Sequence, residues 1–338
     1  MKRERGQFYT IANPFKVNPF YNWYESIPLD VSKEVLLEPF AGSNNIIQMI
    51  KSLNLPQPKG WASYDIDPPE VNKTPEYPVN QQDTIKDFPK GHNIIITNPP
   101  YLAKNSATRR GLPYPNTKFD DLYKECLYLM LENADYVAAI IPESFLTSGL
   151  FVDRVDAVVS LNVRMFDDTE CPVCLALFSP KADRTLIYRM NEPLGVLSDL
   201  REQLDIIAPK QSDLSDIWKF NDPSGSIGAC LVDNQKEASI IFCEGEKIPD
   251  VKSTSRANTR ISGVVFKDEE ERQAFIKHAN AVLSEYREKT HDVFMTSFKG
   301  LRQDGKYRRR LDFKAARAIL TKAYLEICPL RLTGSKNI

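Results

Sequence analysis

Four short apolar runs in the first half of the chain each stop at a proline. They are residues 34–38 (EVLLE, then Pro39), 61–67 (WASYDID, then Pro68-Pro69), 93–97 (NIIIT, then Asn98-Pro99-Pro100) and 136–141 (YVAAII, then Pro142). Short runs without polar alternation read as strands buried on both faces, and proline, which has no N–H to donate, closes each one. Helical spacing lies between them. IIQMIKSL (46–53) follows Ser43-Asn44-Asn45, which can cap it. FDDLYKECLYLMLENA (119–134) carries Asp120 and Asp121 near its start and repeats apolar residues at Leu122, Cys126, Leu129 and Met130. Strands alternating with helices predict a doubly wound α/β fold around a parallel sheet. Three further runs, 157–166, 173–178 and 184–190, follow one another closely, which predicts an antiparallel edge.

The texture changes after about residue 190. PLGVLSDLREQL (193–204) reads as a connecting helix and 209–216 as a polar loop. IGACLV (227–232) and ASIIFC (238–243) read as short strands. Residues 268–289 form a strong helical pattern with an acidic first turn, and another helix is expected near 312–325. With 338 residues, two domains are expected: residues 1–190, and an α+β domain over 191–338.

Composition narrows the function. There are only 14 Gly, with no G-x-G-x-x-G, and only 3 His. A dinucleotide pyrophosphate site, a His-rich metal site and His-based catalysis are therefore disfavoured. The cysteines (126, 171, 174, 230, 243, 328) have no disulfide-scaffold spacing. Cys171 and Cys174 are spaced like metal ligands, but no second pair completes a site, so no metal is expected. The charged start, Met1-Lys-Arg-Glu-Arg-Gly, is followed by no apolar signal region, and no run approaches a membrane span, so a cytoplasmic protein with no membrane partner is expected. The net charge of −1 is uneven: residues 251–338 hold 19 Lys and Arg against 10 Asp and Glu, a net of +9, which leaves −10 for residues 1–250. A polyanion is expected to meet the C-terminal part.

Three strands end in residues with chemical potential. The first ends Glu38-Pro-Phe40-Ala-Gly42-Ser, the second Asp65-Ile66-Asp67-Pro, the third Asn98-Pro99-Pro100-Tyr101. Ligands of open α/β sheets bind beyond the carboxyl ends of the strands. Asp65 follows Gly42 at about the spacing at which an acid meets a ribose hydroxyl. Asp67 is the alternative acid, or a cap of a following helix. A nucleoside cofactor without a phosphate needs no glycine-rich loop.

Taken in order, residues 6–178 resemble the S-adenosylmethionine-dependent amino-methylating DNA methyltransferases that place the cofactor half first, the catalytic half second and target recognition last. Gly6-Gln-Phe-Tyr9-Thr10 resembles their N-terminal cofactor motif, and Leu37–Ser43 the first cofactor motif, with Glu38, Phe40 and Gly42. Asp65 and Ile66 resemble the ribose acid and the apolar adenine contact, and Asp83 the acid that receives the cofactor's adenine amino group. Asn98-Pro99-Pro100-Tyr101 resembles the catalytic motif. Phe166, ahead of residues 169–178, resembles the second wall for a flipped base, with Tyr101 as the first. The resemblance implies a Rossmann-like methyltransferase sheet, S-adenosylmethionine as cofactor and adenine N6 in double-stranded DNA as target. It also implies a restriction-modification, phage or orphan setting, in which a cognate restriction endonuclease acts separately. An RNA or protein-glutamine methyltransferase is the rival reading, because its acceptor is also an amino or amide nitrogen.

The tetrapeptide suits that chemistry. An aromatic amino lone pair is delocalised into the ring. An Asn oxygen and the Pro99 carbonyl can accept its two N–H groups and turn the lone pair toward an electrophilic methyl, by positioning and preorganised dipoles alone. The target atom lies inside a duplex, so the base must be flipped out. DNA contacts are expected from Lys252, Arg256 and Arg260, and from Lys299, Arg302, Lys306, Arg308, Arg309 and Arg310, with Phe298 and Tyr307 interleaved.

Overall fold

The computed structural model describes residues 12–166, 170–207, 217–249, 252 and 254–327. The chain divides into two compact units, residues 1–196 and 197–338.

The first unit opens with helix α1 (Asn18–Ser26), which has a proline in its first turn and buries Phe20, Trp23 and Tyr24. Strand β1 (Val35–Glu38) leads into helix α2 (Asn45–Lys51). Strands β2 (Gly60–Asp65), β3 (Val79–Gln81) and β4 (Ile94–Thr97) follow, then helices α3 (Lys104–Arg109) and α4 (Leu122–Asn133), and strand β5 (Tyr136–Pro142). Strands β6 (Val155–Ser160), β7 (Val173–Phe178), β8 (Leu186–Arg189) and β9 (Glu192–Val196) complete one sheet, ordered β3-β2-β1-β4-β5-β7-β6-β8-β9. The first five are parallel. β7 runs antiparallel to both β5 and β6. This is the doubly wound sheet with an antiparallel edge that the apolar runs predict, and the Rossmann-like sheet that the resemblance implies. The edge is not wholly antiparallel, because β8 pairs parallel with β6.

Local rules explain most of the differences from the sequence reading. Residues 161–166 leave the sixth strand because the ladder with β7 ends at Ser160. Residues 192–196 pair with β8 instead of starting a helix, so the first unit ends at Val196 rather than near 190. No helix follows Asp67 before β3, so Asp67 caps nothing. Strand β3, helix α1 and helix α3 were not expected. β3 is short with two exposed residues, and α3 is short and largely polar, so neither carries an apolar signature.

The second unit holds helix α5 (Leu197–Ile207) and a four-stranded antiparallel sheet of β10 (Lys219–Phe220), β11 (Ile227–Cys230), β12 (Ile241–Glu244) and β13 (Asn258–Ser262), ordered β10-β13-β11-β12. Helix α6 (Glu269–Thr290), hairpin β14 (Thr296–Leu301) with β15 (Tyr307–Arg310), and helix α7 (Phe313–Ile327) follow. α6 is capped by Asp268, which accepts the Glu271 N–H at 2.9 Å. Three Glu fill its first turn, and Arg287 and Lys289 lie in its last. Its stripe of Phe275, Ile276, Ala279, Val282, Leu283 and Tyr286 packs into a core with Trp218, whose indole N–H donates to Thr321 Oγ1 at 2.9 Å. Gly245 has no alternative: a Cβ there would lie 2.1 Å from the Gly225 carbonyl oxygen. The unit is α+β.

Candidate functional site

The strand order reverses between β1 and β4, and ligands of open α/β sheets bind beyond the carboxyl ends of the strands at such a point. Glu38 ends β1, Asp65 ends β2, and Asn98 follows the last residue of β4. Parallel pairing of β2, β1 and β4 brings these ends to one edge of the sheet.

Hydrogen bonds stitch the three loops together. Asp65 is 5% exposed, and its two oxygens accept the N–H groups of Gly42 and Asp67, each at 2.9 Å. Gly42 has φ +48° and Asn44 φ +59°, so the turn after β1 passes twice through the left-handed region. Asn tolerates that region better than most residues, which is how the turn forms with one glycine. Asn44 stands at the cap position of α2 without capping it. Its side-chain amide instead donates to Asn72 Oδ1 at 3.0 Å and the Tyr77 carbonyl at 2.8 Å, tying the turn to the loop before β3. After β3, Thr84 Oγ1 donates to the Pro39 carbonyl at 3.0 Å.

Glu38 is fully buried. Its Oε1 accepts the Phe40 N–H at 3.1 Å and the Thr97 hydroxyl at 2.5 Å. Its Oε2 has no partner among the described residues. Burial pushes its carboxyl up to about 8, against the opposing hydrogen bonds from Thr97 and Phe40. Thr97 immediately precedes Asn98, so this bond couples the end of β1 to the start of the tetrapeptide. The sequence reading gives Asn44 only a capping role, which it does not play, and gives Thr97 none. A lone buried Thr at a strand end carries no pattern, whereas Asn at a glycine-like turn position was a readable signal.

Within the tetrapeptide, Tyr101 Oη lies 2.5 Å from Asn98 Oδ1 and 2.6 Å from the Ile140 carbonyl oxygen of β5. The Tyr101 ring sits edge-on to Tyr123 (6.4 Å between centroids, 88°) and to Phe166 (6.1 Å, 70°). Phe166 is fully buried, so in this structure it supports Tyr101 and presents no open face. Ile66 stands 45% exposed at the end of β2, and Phe40 is half-buried beside Glu38. Asp83 is paired with Lys86 at 3.0 Å. Tyr9 and Thr10 lie outside the described residues. Cys174 is fully buried on β7 and Cys171 half-buried, and no group of three potential metal ligands occurs among the described residues. None of the described helices is long and apolar enough to cross a membrane.

In the second unit, several expected DNA contacts are engaged internally. Asp233, fully buried, accepts from both terminal nitrogens of Arg287 (2.9 and 3.0 Å) and from Arg302 Nη1 (2.9 Å), together with the N–H groups of Arg309, Ser239 and Ile240. Arg302 is further clamped by Asp304. Arg302 and Arg309 are therefore corrections: both are buried, and Arg309 Nη1 donates to Ser297 Oγ at 2.6 Å. Arg308 donates to the Asp233 carbonyl and lies over the Phe298 ring. Arg260 donates to the carbonyls of Ile248 and Pro223, which occupies the fork that a guanine edge would need. Lys252, Arg256 and Lys299 are exposed, and Lys306 and Arg310 half-buried.

No protein-family model matches the sequence, and no curated protein matches it. Solved structures give distant likenesses. A methyltransferase subunit of a type I restriction-modification system from Streptococcus thermophilus matches with a TM-score of 0.35 and 16% identity, over 54% of this chain and 47% of that one. A DrdV–DNA complex matches at 0.41 and 14%, over 56% and 28%. A candidate RNA methyltransferase from Pyrococcus horikoshii matches at 0.34 and 16%, over 54% and 91%. The chain spans less than half the length of the first two.

Proposed function

We propose that the protein is an S-adenosylmethionine-dependent methyltransferase acting on adenine N6 in a specific double-stranded DNA site. In this reading the first unit binds cofactor and performs transfer, and the second recognises DNA. A separate restriction endonuclease would be its partner in a restriction-modification setting. The observation that carries the reading is the Thr97–Glu38 hydrogen bond, which joins the strand end resembling the first cofactor motif to the residue before the catalytic Asn.

The residues present fit the cofactor. The ammonium and sulfonium groups of the cofactor suit a buried carboxyl with an unpartnered oxygen, as Glu38 Oε2 is, and a cation there would favour its ionised form. Asp65 is a carboxylate that accepts backbone N–H groups at this strand end, and ribose hydroxyls donate to such an oxygen. Ile66 and Phe40 offer apolar surface to an adenine ring. When bound, S-adenosylmethionine supplies a methyl group on a sulfonium leaving group, which is the hard part of the chemistry.

This chain's own residues position the acceptor. Asn98 Oδ1 and the Pro99 carbonyl accept the two N–H groups of the target amine and aim its lone pair. Pro99 and Pro100 fix the loop, because each locks φ and restricts the residue before it. Tyr101 Oη steadies the Asn98 side chain from the side of β5. Asn98 rather than Ser in the first position favours adenine over cytosine N4.

The test offers labelled cofactor with duplex DNA, RNA and ribosomal protein. Label in duplex DNA, mapped to adenine N6, supports the proposal. Label only in RNA or in a glutamine side chain overturns the target, and no cofactor binding overturns the whole reading.

A further inference from the structure

The segment between the catalytic tetrapeptide and α4 is built as a cationic loop pinned beside Asn98–Tyr101. Residues 103–119 contain four Lys and Arg (Lys104, Arg109, Arg110, Lys118) and no Asp or Glu. Its two ends are fastened together directly after Tyr101. Ala103 bridges Asp121, Leu102 N–H donates to Asp121 Oδ1 at 3.1 Å, Leu122 N–H to the Leu102 carbonyl at 3.1 Å, and Lys104 N–H to the Asp120 carbonyl at 2.8 Å.

The two acids at this seam are already engaged. Asp121 is half-buried and holds a backbone N–H, and Asp120 pairs with Lys124 at 2.6 Å. The loop interior is also ordered: Ala107 is fully buried on α3, Leu112 N–H returns to the Ala107 carbonyl, and Tyr114 OH donates to the Phe119 carbonyl. Lys104, Arg109 and Lys118 are exposed, and among the described residues no carboxylate pairs with them. Lys118 Nζ rests 5.2 Å over each of the Phe119 and Tyr128 rings, which holds it in place without neutralising it.

An ordered loop with four cations and no acid of its own attracts a polyanion, and counterion release makes that attraction strong and salt-dependent. A base that reaches Asn98 brings the phosphates on either side of it to the segment that follows Tyr101 in the chain. The second unit is weaker in this respect than its charge count suggests, because Arg287 and Arg302 are paired with Asp233 and Arg309 is buried. From this geometry we infer that residues 103–119 grip the phosphates flanking the target nucleotide of duplex DNA, so that the acidic first unit holds DNA by its own loop. This rests on the proposed DNA target and adds to it the surface that DNA meets.

The experiment measures affinity of the full chain for duplex DNA against salt concentration. The variants are Lys104→Ala with Arg109→Ala, the same pair plus Lys118→Ala, and, for comparison, Lys299→Ala with Arg310→Ala. Cofactor binding reports folding of the first unit. The double variant needs no packed side chain, so it remains informative if loss of Lys118 from its two rings disturbs the loop. The expected result is a log–log slope shallower by roughly 0.9 per lost phosphate contact, with affinity lowered at least about tenfold at 0.1 M salt. Unchanged affinity and slope in the double variant would mean the loop is a solvated face, and the inference fails. A wild type that binds single-stranded RNA and not duplex DNA overturns the partner. Binding is read without transfer, so a protein that grips DNA through this loop but methylates nothing sinks the functional reading and not the grip.

Discussion

Glu38 and Asp233 are both fully buried carboxyls, and their surroundings treat them oppositely. Glu38 has two hydrogen bonds on one oxygen and none on the other, and burial raises its carboxyl to about 8. Asp233 suffers the same burial, but the hydrogen bonds and charge of Arg287 outweigh it and hold the carboxyl below its ordinary range. A buried carboxylate that is fully paired organises a fold, whereas a buried carboxyl held mostly neutral with one oxygen unpartnered keeps a polar atom for a group that arrives later. The first unit keeps such capacity at its strand ends. The second spends its charges on itself.

The sharpest way to break that contrast is Asp233→Ala. It removes one of two carboxylate partners from each of Arg287 and Arg302, which keep Asp292 and Asp304, and it removes acceptors from three backbone N–H groups, so stability should fall by about 3 kcal/mol, the lower end of the range for breaking a buried pair. Denaturant unfolding measures it, with cofactor affinity of the first unit expected to hold. A loss under about 1 kcal/mol would reduce the hub to a surface-like pair.

Asn98→Ala comes next. It removes the amino-group acceptor and leaves Glu38, Asp65 and Ile66 in place. Single-turnover transfer should drop by about 10² or more, in line with losing one preorganised polar group. Cofactor affinity should barely move. Near-normal turnover would remove the tetrapeptide from the mechanism.

The sequence disclosed the two sites unequally, for physical reasons. Glu38, Asp65 and Asn98 end apolar runs, and a parallel sheet must bring such ends to one edge. Asp233 has no such marker. Its partners lie 54 and 69 residues away on α6 and beside β14, so only tertiary packing brings them together. The same blindness made Arg302 and Arg309 read as DNA contacts, since a charge count cannot tell a paired guanidinium from a free one. The loop at 103–119 was overlooked for the converse reason, because it sits inside a net acidic half.

pH separates the two carboxyls without any ligand. Between about 4.5 and 8 the unfolded chain ionises at Glu38 while the native site stays protonated, so the folded state binds more protons. Stability should then decline as pH rises through that window, by up to about 1.4 kcal/mol per pH unit, and level off above it. Glu38→Gln should abolish the decline. Asp233 has the opposite sign: its contribution is present above the ordinary carboxylate range and lost as pH falls through its lowered value. Unfolding curves of wild type and Glu38→Gln from pH 5 to 8 measure the first effect, and parallel curves would show that Glu38 ionises freely in the folded protein.

The smallest effect is the most discriminating. The Tyr101 hydroxyl carries one proton and stands within hydrogen-bond distance of two acceptors, Asn98 Oδ1 and the Ile140 carbonyl. It can serve only one at a time. Where Asp233 is held by several donors at once, the Tyr101 hydroxyl that reaches the Asn98 oxygen is shared with the Ile140 carbonyl. Tyr101→Phe keeps the ring and its edge contacts to Phe166 and Tyr123 but deletes that hydroxyl. Stacking on a captured base should survive, so KM for DNA should stay close to wild type. Asn98 should lose its fixed orientation, at a cost of about 1 kcal/mol for one neutral hydrogen bond, or roughly a fivefold lower kcat. Steady-state kcat and KM measured separately decide the matter. A fall in kcat alone assigns the hydroxyl to positioning. A rise in KM alone assigns Tyr101 to base capture, and a wild-type profile in both means that the Pro-Pro loop orients Asn98 without help.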